Sequence, residues 1–165
     1  MNMKQTYSIK EIMELATQKA MEGVHNNIGG PFGACVCRYA EKGMFEIISL
    51  ECNTVVSTLD PTNHAEMNAI RKACNILGTF DLSDCVLVTT GQSCDMCKSA
   101  TIWANIKTVY YGTTYKDAKD IGFRDDHINK HIKGEICMLQ EIPYGREIAI
   151  QVHNEWLNKL DKTQY

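Results

Sequence analysis

Residues 85–111, CVLVTTGQSCDMCKSATIWANIKTVYY, decide the fold. This stretch contains a β-rich run from Cys85 to Thr90, a helical run from Cys94 to Ala104 and a second β-rich run from Thr108 to Tyr111. A strand, a helix and a strand in this order predict a crossover between two parallel strands. We therefore expect an α/β fold.

Upstream of this stretch, the pattern predicts a helix followed by a hairpin. Ser8 and Glu11 form a capping box ahead of an amphipathic helix that ends near Gly23. Two β-rich runs, at about 33–39 and 44–50, are separated by a short polar turn and predict a β-hairpin.

Another helix is predicted before the crossover, and two further elements after it. The sequence DPTN at 60–63 is a helix-start signal, the apolar stripe runs over 65–77, and Gly78 ends it. In the C-terminal part, 136–142 is predicted as a strand or strand-like arm and 147–160 as a helix.

Composition and charge narrow the class of protein. The chain has 165 residues, of which 44% are hydrophobic and 22% charged, as in one ordinary globular domain, so we expect a single domain over 1–165. Its 17 basic and 20 acidic residues give a net charge of −3 without a basic patch, which makes nucleic acid a poor candidate partner. No apolar run is long enough to span a bilayer, no secretory signal core is seen, and the eight cysteines are expected to be reduced thiols in the cytosol.

Two short motifs carry the chemistry, and both fall at predicted helix N-termini. His64 and Glu66 open one helix, and Cys94 and Cys97 open another. Two thiolates and one neutral imidazole balance a zinc dication and leave a fourth position for water, which is the catalytic rather than the structural pattern. Glu66 is then the non-ligand acid/base beside that water. A structural zinc site or a redox thiol pair is the non-enzymatic alternative.

These motifs resemble those of the zinc-dependent cytidine deaminase superfamily, which carries an H-x-E and a P-C-x-x-C signature. Within it the chain resembles the bacterial guanine deaminases over nearly its whole length. The matching features are GGPFGA at 29–34, Asn53, the DPT and HAE motifs that end at Glu66, AIRKAC at 69–74, Gly122-Phe123 with Asp125, and the C-terminal Tyr165.

The resemblance implies a three-layer α/β/α sandwich around a central mixed five-stranded sheet, and a homodimer that exchanges its C-terminal segments, at about 135–165. It also implies one zinc ion per chain, bound by His64, Cys94 and Cys97, with Glu66 as the proton shuttle. The implied activity is hydrolytic deamination of a small-molecule nucleobase, foremost guanine to xanthine and ammonia.

The resemblance also assigns the contacts with substrate. Phe32 is expected to stack on the purine, the Asn53 amide and the Ala65 N–H to bind its edge, and Asp125 to hold the amino side or move protons. Trp103 is expected to line the pocket, and Tyr165 of the partner subunit to close it. On the residues alone, aromatic burial explains Phe32 and Trp103 without a ligand, Asn53 fits an Asx turn, and Asp125 fits a solvated face.

The sequence departs from the family around its first metal cysteine. Gln92 and Ser93 stand where the family usually has Glu-Pro, and Asp95 stands where guanine deaminases usually have Pro. Because proline fixes the backbone angle φ, the loop that enters the zinc helix is expected to be looser without it. The Cys-Asp-Met-Cys core is also seen in fungal-type cytosine deaminases, so cytosine, another amino-heterocycle or a nucleoside remains an alternative substrate. A tRNA adenosine deaminase is disfavoured by the net charge of −3.

Overall fold

The structure is a computed structural model, and it describes residues 5–163. The helices are α1 (Ile9–His25), α2 (Val55–Thr58), α3 (Ala65–Leu77), α4 (Asp95–Trp103), α5 (Tyr115–Asp120), α6 (Asp125–Ile132) and α7 (Arg146–Asn158). The strands are β1 (Gly33–Tyr39), β2 (Phe45–Cys52), β3 (Cys85–Gly91) and β4 (Val109–Thr113).

The strands form one mixed sheet in the order β2-β1-β3-β4. β1 is antiparallel to both β2 and β3, whereas β3 and β4 are parallel and joined by α4. The predicted hairpin and the predicted parallel crossover are therefore confirmed. The expected five-stranded sheet is wrong for the described residues, which contain four strands.

Helices cover both faces of the sheet because its inner strands bury both sets of alternating side chains. On β1, Ala34 and Val36 pack in a core with residues of α3, while Cys35 and Cys37 pack in a second core with Ile12 of α1. The α/β/α layering expected from the resemblance is thus present. The two cysteines act here as small apolar side chains.

Helix α1 is held by a capping box at its start and by close packing against β1. The Ser8 Oγ accepts from the Glu11 N–H, and the Glu11 carboxylate accepts from the Ser8 N–H, which is the predicted capping box. α1 lies so close to β1 that a Cβ added to Gly33 would stand 2.0 Å from the Ala16 carbonyl oxygen. Only glycine allows this approach.

The C-terminal part differs most from the prediction. The predicted helix is present as Arg146–Asn158, but 136–142 forms no strand and pairs with no part of the described sheet. The apolar side chains of that segment are exposed, so it has no buried face that would fix a strand in this chain. None of the residues of α7 is buried.

Among residues 5–163, no helix combines the length and apolar character needed to cross a bilayer.

Candidate active site

The imidazole and thiol groups of the two sequence motifs meet at the start of two helices. His64 is the N-cap of α3, Cys94 is the N-cap of α4, and Cys97 lies in the first turn of α4. The His64 Nδ1 lies 3.6 Å from the Sγ of Cys94 and 3.6 Å from the Sγ of Cys97. Residues 30 and 33 positions apart are therefore brought to one point, as predicted.

The three donor atoms have the spacing of a tetrahedral zinc site. Zn–N and Zn–S bonds of ordinary length at a tetrahedral angle place nitrogen and sulfur about 3.6 Å apart. The two observed N···S distances are both 3.6 Å, and the three donor atoms all lie within 4.8 Å of one another. Within 5–163 no other group of three histidine, cysteine or acidic side chains lies this close. A structural site would require a fourth protein donor, and the described residues supply three.

The electrostatics of the group suit a dication. A hydrogen bond with Cys97, supported by the hydrogen bond with His64, lowers the pKa of the Cys94 thiol to about 4. The same hydrogen bond with Cys94 raises the pKa of Cys97. The hydrogen bond with Cys94 also raises the pKa of His64. The site therefore favours negative charge on one sulfur, and His64, Cys94 and Cys97 would hold a divalent cation with both thiols deprotonated.

Glu66 lies beside this group and belongs to its surroundings rather than to its donors. It is the second residue of α3, and only 6% of its surface is exposed. Burial raises the pKa of its carboxyl group. A carboxyl group with a raised pKa can both accept and return a proton near neutral pH.

A small cleft opens over Glu66 and the metal donors. Its empty space is about 360 Å³, a volume that includes open solvent at its mouth. The rings of Phe32 and Phe123 meet edge to face across 4.8 Å at one wall. The residues that line the cleft are Phe32, Asn53, His64, Glu66, Gly91, Gln92, Cys94, Phe123 and Asp125.

The Asn53 side chain has a fixed orientation in this wall. Its Oδ1 accepts from the N–H of Val55 at 3.1 Å and from the N–H of Gly30 at 3.2 Å. The bond with Val55 is the Asx turn considered above, so the structural interpretation of Asn53 is correct. Because Asn53 also lines the cleft and its oxygen is engaged twice, its Nδ2 group is the part available to a ligand.

The other predicted site residues are placed as follows. Asp125, the first residue of α6, lines the cleft, and burial followed by the nearby Cys94 charge raises the pKa of its carboxyl group. Ala65 is fully buried as the first residue of α3. Trp103 is 66% exposed at the end of α4 and does not line the cleft, contrary to the expectation for this residue within one chain. Tyr165 lies outside the described residues.

Sequence reasoning gave no role to two residues of the cleft, Gly91 and Phe123, whereas the resemblance implied that Gln92 contributes its main-chain carbonyl towards the leaving amine. A Cβ on Gly91 would stand 3.0 Å from the Phe32 ring, so this glycine makes room for the aromatic wall. The signal that could have found Phe123 is the Gly122-Phe123 match with the guanine deaminases, which identified the branch but was given no role.

The loop before the first metal cysteine is held by hydrogen bonds to the end of β4 and the start of α5. The Tyr115 Oη donates to the Ser93 carbonyl at 2.7 Å, and the Gln92 N–H donates to the Thr113 carbonyl at 2.7 Å. The Gln92 side-chain oxygen accepts from the Tyr115 N–H at 3.3 Å. These bonds restrain the loop at the position where the family usually has proline.

A buried acid beside a three-donor zinc group, at the helix N-termini of an α/β/α sandwich, defines a zinc-dependent hydrolytic enzyme. Comparison with known proteins identifies the class further. Residues 6–113 match the family model described as the cytidine and deoxycytidylate deaminase zinc-binding region, and the chain belongs to this family.

Known relatives agree with this assignment. The chain is 38% identical over 157 residues to guanine deaminase of Bacillus subtilis, which covers 93% of this chain and 96% of the relative. The X-ray structure of guanine deaminase from Bacillus subtilis matches with a TM-score of 0.82 at 35% identity, over 94% of this chain and 98% of that chain. A tRNA-specific adenosine deaminase of Aquifex aeolicus is 38% identical over 135 residues, which covers 79% of this chain and 82% of the relative.

Proposed function

We propose that this protein hydrolyses guanine to xanthine and ammonia. The observation that carries the proposal is the buried Glu66 carboxyl group beside His64, Cys94 and Cys97, at the bottom of a cleft with an aromatic wall. The similarity to guanine deaminase of Bacillus subtilis over 93% of the chain favours guanine over other amino-heterocycles.

His64, Cys94 and Cys97 would hold one zinc ion per chain. When bound, zinc acts as a Lewis acid that makes water a nucleophile near neutral pH. The donor set fits this ion because its N···S distances match tetrahedral zinc and because it leaves one coordination position free of protein.

Glu66 moves the protons of the reaction. Its carboxylate accepts a proton from water as oxygen adds to C2 of guanine, and it delivers a proton to N3. It then transfers a second proton from the added hydroxyl group to the amino group, the C2–N2 bond breaks, and ammonia leaves. The overall reaction consumes one guanine and one water and yields one xanthine and one ammonia.

The cleft walls orient the base. Phe32 stacks on the purine ring, and the edge of Phe123 fixes the Phe32 ring. The Asn53 Nδ2 group and the Ala65 N–H donate to acceptor atoms on the purine edge. Asp125 accepts a hydrogen bond from the amino side of guanine, because it lines the cleft close to Cys94 and His64.

Substrate and metal can be tested together. Zinc-loaded protein should release ammonia from guanine faster than from cytosine, cytidine, adenine or guanosine. Glu66→Gln should abolish turnover and keep about one zinc per chain, because the amide has the shape of the carboxyl group but cannot accept the proton. Failure to turn over guanine would refute the substrate, and loss of zinc from Glu66→Gln would refute the role of Glu66.

We also propose that the chain is a single domain, located in the cytosol, which acts as a homodimer with exchanged C-terminal arms. The eight unpaired cysteines support a reducing compartment. The exposed apolar side chains Ile148, Val152 and Trp156 of α7 support the exchange, because they share one face of the helix and a helix with such a stripe normally packs against another surface. Tyr165 of one arm would then reach the site of the partner subunit.

A mixing experiment tests the exchange. Protein lacking 159–165 retains Glu66, and full-length Glu66→Gln retains the arm, so each alone should be inactive. Unfolding and refolding them together should restore part of the activity, because the intact site then receives an arm from the other subunit. Full activity of the truncated protein alone, or none in the mixture, would refute the exchanged arm.

A further inference from the structure

A polar contact joins the zinc helix to the helix that carries Asp125. The Asn129 Nδ2 of α6 lies 3.2 Å from each carboxylate oxygen of Asp95, the first residue of α4. The Lys98 Nζ lies 3.5 Å from the same carboxylate and 4.8 Å from the centre of the Tyr115 ring. We name the group of Asp95, Lys98 and Asn129 the α4–α6 latch.

The latch matters because the hydrophobic core does not fix α6. None of the residues of α6 is buried, so apolar packing leaves the rotation of this helix about its axis weakly defined. The Phe123 ring, just before the helix, contacts Phe32 and fixes only the N-terminal end. A second attachment point, one turn further along, is required to fix the rotation.

Asn129 supplies an attachment at this position, in addition to the 3.0 Å ion pair of Asp126 with Lys119 nearer the start of the helix, and it shares a face with Asp125. Residues four positions apart on a helix lie one above the other, so both side chains leave the same side of α6. Asp125 lines the cleft, while Asn129 binds Asp95, one of the two residues between the metal cysteines. The start of α4 therefore carries the two metal cysteines and also Asp95, the residue that binds Asn129 of α6.

We propose that Asp95 and Asn129 are positioning residues that hold the Asp125 carboxylate at a fixed place in the cleft. The inference rests on the proposed role of Asp125 in binding the substrate. Proline, which guanine deaminases usually have at this position, offers no side-chain acceptor, so the latch is a feature of the Asp95 sequence.

Asn129→Ala tests the latch directly. We expect kcat/KM to fall about tenfold, because misplacing a substrate-binding group by a fraction of an ångström has an effect of this order. Zinc should stay at about one per chain. Lys130→Ala is the matched control: Lys130 is the next residue of α6, and its ammonium group lies 3.9 Å from Asp126 and outside the latch. Its kcat/KM should stay within about twofold of wild type.

Two combinations separate positioning from a general structural effect. In an Asp125→Ala background, Asn129→Ala should lower kcat/KM no further, because the group that it positions is already gone. Asn129→Asp should impair the enzyme by placing two carboxylates together, and the exchange Asp95→Asn with Asn129→Asp should restore most of the loss. An additive effect with Asp125→Ala, or no rescue by the exchange, would overturn the proposal.

The latch and the proposed function are tested by different measurements. The rate of wild-type enzyme on guanine tests the function alone, whereas the ratio of variant to wild type, on whichever amino-heterocycle is turned over fastest, tests the latch. Amide hydrogen exchange over 125–132 needs no substrate: Asn129→Ala should accelerate it about tenfold or more, and Lys130→Ala should not. Unchanged exchange in Asn129→Ala would overturn the latch even if guanine is the substrate.

Discussion

Replacing Asn53 by Asp or by Ala should separate the structural role of this side chain from its contact with substrate. Only 4% of Asn53 is exposed, and its Oδ1 accepts from the N–H groups of Val55 at 3.1 Å and Gly30 at 3.2 Å. Aspartate offers an oxygen of the same reach to both N–H groups but replaces the Nδ2 donor with an acceptor. Alanine removes both functions.

The two variants should differ in stability and agree in loss of activity. Asn53→Ala loses two hydrogen bonds of about 1 kcal/mol each, or about 2 kcal/mol, which lowers Tm by about 4–8 °C in a domain of this size. Asn53→Asp keeps both bonds, so its Tm should stay within about 2 °C of wild type. Its kcat/KM on guanine should fall by more than about 100-fold, or about 2.7 kcal/mol. The reason is that a carboxylate oxygen then faces a hydrogen-bond acceptor atom on the purine edge.

Calorimetry and guanine turnover on the zinc-loaded proteins check both expectations. If Asn53→Asp melts as low as Asn53→Ala, the two backbone hydrogen bonds are not what this side chain contributes to the fold. If Asn53→Asp keeps more than about a tenth of the wild-type kcat/KM, the Nδ2 group does not donate to the substrate.

Three further predictions concern the scaffold, the aromatic wall and the metal. Gly33→Ala should destabilise the protein by at least about 3 kcal/mol in denaturant unfolding, because its Cβ would lie 2.0 Å from the Ala16 carbonyl oxygen; wild-type stability would contradict this close approach. Phe123→Leu loses the edge contact with Phe32 at 4.8 Å, worth about 0.5–1.5 kcal/mol, so KM for guanine should rise about two- to tenfold with kcat nearly unchanged, and an unchanged KM would contradict it. Removal of zinc by a chelator should abolish turnover and its return should restore it, measured with metal content; full activity of zinc-free protein would exclude a catalytic metal.

The layers of the fold could be predicted because their signals are local. The apolar period of 65–77, the glycine that ends it and the β-rich runs of the crossover each lie within one element, and all three are confirmed. Helices α2, α5 and α6 were missed because they have 4, 6 and 8 residues, which is too short for an apolar period to be recognised. The segment 136–142 has apolar residues but no partner within the described chain, so composition alone overpredicted a strand.

The difference between local and non-local signals also explains which site residues could be predicted from the sequence. The metal donors and Glu66 stand at two helix N-termini, where local sequence marks both the helix start and the chemistry. Phe123 reaches the cleft from the loop that follows α5, and no local pattern sets the course of that loop. Trp103 is the reverse case: the family resemblance assigned it to the pocket, yet at the end of α4 it lies on the surface of the described chain.

The departures from the family motif change how the zinc loop is restrained. A proline stiffens a loop through its own ring, independently of the rest of the fold. Here Ser93 and Asp95 carry no such restraint, and hydrogen bonds from Tyr115 and Asn129 restrain the loop and helix instead. Those partners belong to α5 and α6, the segment that also carries Asp125. The metal donors and the wall of the substrate cleft are therefore mechanically coupled, and a substitution in α5 or α6 is expected to affect substrate binding before it affects the stability of the buried sheet.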